Sequence, residues 1–442
     1  MLPDYISKAV PNPPNNRASW FKSTAPAYAG TFLWVVFYEQ IAQGTLDKTG
    51  PWLGLVALAA AGLLCYGLYY IAPAMMGMKT GYPLYVVGSS TFGATGGYLM
   101  PGLLMGALQA GWFAVNVAVS TNYILRGAGR PAEPGSVAFT VIAVVWGVAM
   151  AWVGVKGIKY VGRVSLYLSG VAFLMVLFVF IKTAPGLAAY SSPATAPWLG
   201  FALILQAVIG FFATAGAAGA DFGMNNRDAR DVRWGGLIGI ALAVLYAGGL
   251  PFLSVAGAQG AGQTGTLYSG VLASAGGFLA SSMFFLFAIA SITPACFCAF
   301  ILGNSFATMI PSVPRMASTM TGAIVAILLA VTGLASNLVN VFTIVGASFG
   351  PICGAMTADY LLSGRKWAGP REGINFAGYI AWALGFLVGI LPFLPVPDAV
   401  KNGAQPVVVY SYIVGFLVYI VLAKAGLEPK TVPIAEKAAA AE

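Results

Sequence analysis

Histidine is absent from all 442 residues, which rules out imidazole proton relays, histidine-bound metals and Ser-His-Asp triads. Charge is nearly as scarce: 8% of residues are charged against 59% hydrophobic, and mean hydropathy is +0.83. That leaves too little polar surface to coat soluble domains, so the chain reads as an all-α integral membrane protein. A soluble enzyme, a nucleic-acid partner and a disordered scaffold are excluded, and no plausible catalytic pair remains for an intramembrane enzyme. The four cysteines, Cys65, Cys296, Cys298 and Cys353, all lie in apolar runs. Cys296 and Cys298 are two apart, diverge on a helix, and read as small buried hydrophobes rather than a metal or disulfide pair. The lead before the first apolar run, near Ala25, is polar and proline-rich, so no cleavable signal peptide is expected.

What remains is a series of about twelve apolar runs, each of roughly 18–25 residues and able to cross a ~30 Å hydrocarbon core. They fall near 27–46, 52–76, 99–123, 136–154, 161–182, 199–219, 234–256, 278–302, 317–337, 339–361, 374–395 and 405–424. Threading the chain through them with a cytoplasmic N-terminus sorts the basic residues into two sets. Lys8, Arg17, Lys22, Lys79, Lys156, Lys159, Arg163, Arg227, Arg230, Arg233, Arg315, Arg365, Lys366, Arg371, Lys424, Lys430 and Lys437 fall inside. Lys48, Arg126, Arg130, Lys182 and Lys401 fall outside. Seventeen against five of the 22 is the asymmetry the positive-inside rule expects, and one misplaced span would scramble it. The net charge of +9 is therefore mostly topology. The reading is a multi-pass protein of the plasma membrane, a bacterial inner membrane, with segment 1–24 and tail 425–442 both cytoplasmic.

Glycine, at 56 residues, is abundant inside the runs and mostly suits close helix packing. A different pattern is Gly210, Gly216 and Gly219 with Thr214 in ten residues ahead of Asp221, which weakens a helix enough for an unwound segment beside a cavity. The first run has its own irregularity at Phe37-Tyr38-Glu39-Gln40. Runs one and six are five apart, and interruptions at corresponding places in two halves point to a five-plus-five inverted-repeat transporter with its site at the midplane. The halves would be 25–182 (helices 1–5) and 199–361 (helices 6–10), followed by two C-terminal helices over 374–424.

Glu39 is the only acidic residue well inside a run; Asp221 and Asp359 fall at run ends. An intramembrane carboxylate costs at least ~2.5 kcal/mol on insertion scales, which favours a functional role: proton carrier, acceptor for a substrate N–H, or cation ligand. The plainer reading places it nearer the interface and hydrated. In the third run Gln109, Trp112, Phe113 and Asn116 share one helix face. Two aromatics and two amides suit a flat heteroaromatic ligand, stacked on an indole while an amide reads its N–H and C=O edge. The same face could equally be a packing stripe. Phe211, Phe212 and Thr214 could furnish the opposite wall.

Several stretches together are similar to the nucleobase:cation symporters, most nearly the cytosine-permease-like branch. They are Lys79-Thr80-Gly81, Thr91-Phe92-Gly93-Ala94-Thr95-Gly96, Pro101 to Phe113, Ala220-Asp221-Phe222, Gly350-Pro351-Ile352-Cys353-Gly354 and Ala358-Asp359-Tyr360. The resemblance implies a LeuT-type fold of ten core helices plus two and uptake of a nucleobase or related planar nitrogen heterocycle coupled to sodium or protons, with no cofactor. By position Gln109 and Trp112 resemble the family's third-span substrate residues, and Phe212 and Thr214 its sixth-span ones. The departures bear on mechanism. Gly88-Ser89-Ser90 stands where the family commonly carries an arginine before Phe-Gly. Glu39 lies where the branch is usually uncharged. The eighth run offers Ser291-Ile292-Thr293-Pro294, one hydroxyl at the expected sodium position and no amide. A sodium ion at Thr293 would lean on backbone carbonyls of the first helix, and a proton carried by Glu39 competes with it. A same-fold alternative is an amine or amino-acid permease in which Glu39 meets a cationic group; a channel or sensor lacks its filter or its output domain.

Overall fold

In a bilayer every backbone polar group must be satisfied within the protein, so apolar runs of this length become helices. The computed structural model describes residues 2–155 and 158–434, with backbone only for 158–167 and 338. Lys156, Lys437 and the last part of the expected tail, 435–442, lie outside the described residues, as do the side chains of Lys159 and Arg163.

Among the described residues the crossing segments are helical throughout, with no β-strand beyond two isolated bridges. Nine helical runs are long and apolar enough to cross a membrane. They are α2 (Leu46–Thr80), α3 (Gly96–Gly127), α4 (Val137–Val155), α5 (Leu168–Ala189), α6 (Pro197–Ala217), α7 (Ala229–Gly260), α8 (Gly277–Met309), α10 (Val339–Leu362) and α12 (Val407–Lys424). Two shorter apolar helices, α9 (Arg315–Val331) and α11 (Phe376–Gly389), and a broken first segment, α1a (Thr24–Phe32) with α1b (Val35–Tyr38), complete twelve. The count agrees with the hydropathy reading.

Both expected interruptions are present, the first where helix ends at Tyr38 and turns run from Glu39 to Thr45, and one more lies ahead of them. The first segment breaks at Leu33–Trp34, where Trp34 turns extended (ψ 126°). The sixth breaks at Ala218, beside the cavity and inside the Gly210–Asp221 stretch, between the helix that ends at Ala217 and a short turn of helix, Gly219–Gly223. The glycines within α6 serve packing as well: a Cβ on Gly210 would meet the Phe342 carbonyl at 2.6 Å, and one on Gly216 the Tyr69 side chain at 2.7 Å. Their weak helix propensity is offset by letting α10 and α2 approach closely. α8 has a further break at Ser291, between Gly277–Ala290 and Ile292–Met309.

Packing sorts the core into two bodies. α2 packs on α6 and α7, and α1a on α7; α3 packs on α4, α8 and α9, and α4 on α8 and α9. The Tyr28 hydroxyl ties α1a to α6 through the Ala215 carbonyl (2.9 Å). Helices 1, 2, 6 and 7 thus form one body and 3, 4, 8 and 9 the other, each closed under a shift of five. α12 packs on α10 and α11 outside this core. Both described ends of the chain lie at one end of the bundle, where Glu372 N–H bonds the Lys430 carbonyl and Asn12 reaches Met224 and Asn225.

Candidate functional site

A cavity of about 480 Å³ runs between the two bodies, from the midplane to the termini-bearing end. Its walls come from the four interrupted or facing helices: Gly30, Thr31 and Trp34 from α1, Gln109 and Trp112 from α3, Phe211, Thr214 and Ala215 from α6, Thr293, Phe297 and Cys298 from α8. Phe21, Lys22 and Ser23 stand at the mouth beside Phe222. No aspartate or glutamate is among the described residues lining it, and Lys22 is its one charged residue.

The inner end is aromatic. Trp112 meets Phe211 edge-on (ring centroids 5.1 Å, 75°) and Trp34 at 5.9 Å, with Phe342 behind at 5.5 Å. Trp112 Nε1 donates to Thr214 Oγ1 (3.1 Å), a polar link across the seam between the bodies. Three buried polar atoms at the wall have no partner among the described residues: Trp34 Nε1, Gln109 Oε1 and Thr293 Oγ1. Gln109 Nε2 has only Met105 Sδ, at 3.7 Å. Buried polar groups are ordinarily paired, so an unpaired set converging on one cavity marks a surface built for a polar ligand.

Of the residues singled out in the sequence, Gln109, Trp112, Thr214 and Thr293 therefore line this cavity. Phe212 does not. Successive helix residues point about 100° apart, so with Phe211 in the wall Phe212 turns into the packing of α1a, stacked on Phe32 (5.5 Å, 15°). Phe113 is fully buried away from the wall. Asn116 lies two turns of α3 beyond Gln109 and spends its amide on structure. Its Nδ2 donates to the Ser291 carbonyl (2.9 Å) at the break in α8, and its Oδ1 accepts from Trp146 Nε1 and Ser120 Oγ (3.3 Å each). Trp34 carried no sequence signal, because neither glycine, proline nor a polar cluster marks the break it occupies.

Glu39 stands beyond α1b, toward the far end of the bundle. Its Oε2 accepts the Ser269 N–H (2.9 Å) and the Tyr123 hydroxyl (3.4 Å), and its carbonyl accepts the Tyr268 N–H (3.3 Å). Arg126 Nη1 donates to Ser269 Oγ (3.2 Å). Glu39 thereby clamps the short helix Tyr268–Ser274, which leads into α8, onto α1 and α3. Below the clamp Tyr38, Tyr268 and Phe287 pack edge to face, with Tyr38–Tyr268 centroids 5.2 Å apart. None of these residues lines the cavity, which is closed on this side.

Beside Ser89-Ser90, where the resemblance led one to expect an arginine, a guanidinium arrives from elsewhere. Arg371, between α10 and α11, pairs with Asp359 (2.8 Å) and with Glu428 of the tail (2.9 Å), and donates to the Ser90 carbonyl. Ser90 and Thr91 hydroxyls complete the shell of Asp359 at 2.6 and 3.0 Å. A buried carboxylate needs such a set of donors to remain in place.

Two four-helix bodies, each built of helix pairs five apart in the chain, with a cavity at broken helices on their seam and open at one end, define a LeuT-type secondary transporter working by alternating access. A family described as permeases for cytosine/purines, uracil, thiamine and allantoin matches residues 11–415, and the chain belongs to that family. It is 26% identical over 373 residues to the cytosine permeases of Escherichia coli K12 and O157:H7, covering 82% of this chain and 84% of each relative. Among solved structures it is similar to Mhp1, a nucleobase-cation-symport-1 family transporter, in a closed conformation with bromovinylhydantoin bound (TM-score 0.70, 16% identity, 96% of each chain). It is similar also to the inward-facing conformation of Mhp1 (TM-score 0.66, 16% identity, 96% of this chain and 97% of that one). A Na+-coupled sialic acid symporter in a substrate-bound outward-open state has the same fold (TM-score 0.61, 12% identity, 97% and 93%).

Proposed function

We propose that the protein imports a neutral nucleobase or closely related planar nitrogen heterocycle. The observation that carries this is the cavity's chemistry: π-faces from Trp112, Phe211 and Trp34, an unpaired Gln109 carbonyl oxygen, and no carboxylate among the described lining residues. A flat ring stacks on Trp112, with Phe211 taking the opposing role the sequence reading gave Phe212, and the Gln109 amide reads an N–H/C=O edge. The same chemistry argues against the amine or amino-acid permease reading, since Glu39 is engaged at the far-end clamp and a cationic head would find no counter-charge in the wall. The names of the cytosine permeases and of the hydantoin-bound Mhp1 support a ligand of this kind.

The termini-bearing end is the cytoplasmic one, by the seventeen-to-five basic asymmetry. On that assignment the structure is inward-open, the repeats are 25–182 and 199–361, and the bundle sits in a bacterial inner membrane. Coupling runs through a proton at Glu39, whose protonation state governs the clamp it makes with Ser269 and Tyr123 beside Arg126. Sodium is the second reading: Thr293 Oγ1 has no partner among the described residues, and the break in α1 lines the same cavity, but one hydroxyl is a sparse side-chain contribution for an ion that wants several oxygens.

The test is a thermal-shift screen of purified protein against nucleobases, hydantoins and amines, with and without sodium, followed by uptake into proteoliposomes under a proton or a sodium gradient alone. Stabilisation by heterocycles only, and accumulation under the proton gradient that Glu39→Gln abolishes while exchange persists, are the expected results. Stabilisation by amines alone would sink the substrate reading; accumulation on sodium alone with Glu39→Gln behaving as wild type would move coupling to Thr293.

A further inference from the structure

Among the described residues that line the cavity, Trp34 carries the one unpaired buried donor, its indole nitrogen, besides the hydroxyl of Thr293. Trp34 is 4% exposed, sits at the extended residue of the α1 break, and holds its rings against Trp112 (5.9 Å) and Phe211 (6.2 Å). Those contacts pack the indole in place, and no described residue accepts from its N–H. A phenylalanine would supply an aromatic surface at the same place; the N–H is what tryptophan adds, and a buried indole N–H ordinarily finds an acceptor. Across the cavity Gln109 Oε1 has the opposite polarity and also lacks a partner. One donor and one acceptor on different helices, with no acid in the wall, amount to a readout pattern for an uncharged ring that carries both complements.

We infer that Trp34 is a specificity-determining residue: its N–H bonds a carbonyl oxygen or ring nitrogen of the bound heterocycle, while Gln109 bonds an N–H, so that rings lacking the acceptor are rejected. This rests on the heterocycle reading of the same cavity. The discrimination comes from both sides of the bond. A ligand without the acceptor leaves the indole N–H buried and unpaired, and a site built around a hydrogen bond punishes its loss more than a merely apolar pocket punishes a lost methylene. The indole N–H, a donor, also excludes ligands that present an N–H at that position, where two donors would face each other.

The experiment uses the full-length purified protein and Trp34→Phe, each titrated with cytosine, uracil, adenine and hypoxanthine. Each tight binder is paired with analogues of the same shape in which one carbonyl oxygen or ring nitrogen is removed (deoxo and deaza forms). One analogue is expected to lose roughly 5- to 100-fold in affinity on the wild type and to bind Trp34→Phe as well as its parent does, the two losses being one and the same bond. Trp34→Gln, which restores a donor, should recover part of the parent's advantage. If heterocycles bind and every acceptor-deleted analogue binds the wild type as tightly as its parent, the Trp34 assignment is overturned while the heterocycle reading stands, and this arm needs no variant to fold. An analogue that loses affinity equally on the wild type and on a well-folded Trp34→Phe also overturns it, because the acceptor then meets another residue. Should no heterocycle bind the wild type, the reading of the cavity falls first and the assignment with it.

Discussion

The two ends of the cavity axis are built from the same kinds of helix ends yet hold together in opposite ways. At the far end Glu39 grips Ser269 and Tyr123, and the rings of Tyr38, Tyr268 and Phe287 close beneath it. At the termini-bearing end Phe21, Lys22 and Ser23 of the first segment stand apart from Phe297 and Ile301 of α8 with the cavity between them. The far seal consists of a few hydrogen bonds around one carboxylate and a set of interchangeable edge-to-face contacts. Such a seal is strong enough to hold and weak enough to exchange, as a gate must be. The difference teaches that Glu39 acts where the path is shut rather than where cargo sits.

The largest effect expected from breaking this asymmetry concerns Cys298. It lines the open cavity, whereas Cys65, Cys296 and Cys353 are buried at 0–2% exposure elsewhere. A bulky membrane-impermeant maleimide applied at the termini-bearing side should abolish uptake and applied at the far side should leave it largely intact, whereas in Cys298→Ala uptake should survive application at either side. Block from the far side alone would reverse the assignment of open and closed ends. Removing the clamp should come next. A hydrogen bond to a charged acceptor is worth ~1.5–3 kcal/mol, so Glu39→Ala should shift the gate equilibrium on the order of ten- to a hundredfold toward far-side opening. The readout is Cys298 labelling from the far side, with Glu39→Gln, which keeps an acceptor oxygen, shifting it less. Labelling that stays sided in Glu39→Ala would show the ring cluster to be the whole seal. The smallest effect sharpens the comparison at the midplane: Trp112→Ala should weaken heterocycle binding by ~1–3 kcal/mol while leaving sided labelling in place, measured by titration on monodisperse protein. Unchanged affinity would return Trp112 to packing alone.

How much of this was legible beforehand depended on how far each signal had to travel. Hydropathy is local, and the twelve crossing segments emerged close to their observed bounds. The breaks were only partly legible because polarity stood in for them: Phe37-Tyr38-Glu39-Gln40 marks where the first helix ends, but the chain also turns at Leu33–Trp34, two apolar residues with no helix-breaking tendency of their own. What opens the helix there is tertiary packing, which propensity cannot report. The glycines around Ala218 marked the sixth break but not its exact place, since low helix propensity and close packing ask for the same residue. Phe211 and Phe212 differ only in phase, and the phase of α6 follows from its running unbroken past Thr214. Gln109, Trp112, Thr214 and Thr293 were accessible from the sequence because an amide, an indole or a hydroxyl in an apolar run is conspicuous wherever the helix points. Arg371 beside Asp359 was beyond reach: the two are twelve residues apart, but the pair matters through Ser90 and Glu428, which only the fold brings near.

One bond described above bears on how the machine could turn. Asn116 fastens α3 to the Ser291 carbonyl, two residues before Thr293. The helix that brings Gln109 and Trp112 to the cavity and the helix that presents the Thr293 hydroxyl are thereby a single lever arm. Opposite it, α1 and α6 are fastened by Tyr28 to the Ala215 carbonyl. At the depth of the ligand the Trp112–Thr214 bond spans the two arms. Rocking one arm against the other about that point shortens the path at one end as it lengthens it at the other, with no part of either arm required to bend. The transported molecule would then sit at the fulcrum, where displacement is least, and a ligand bound there would feel both gates without being carried far by either.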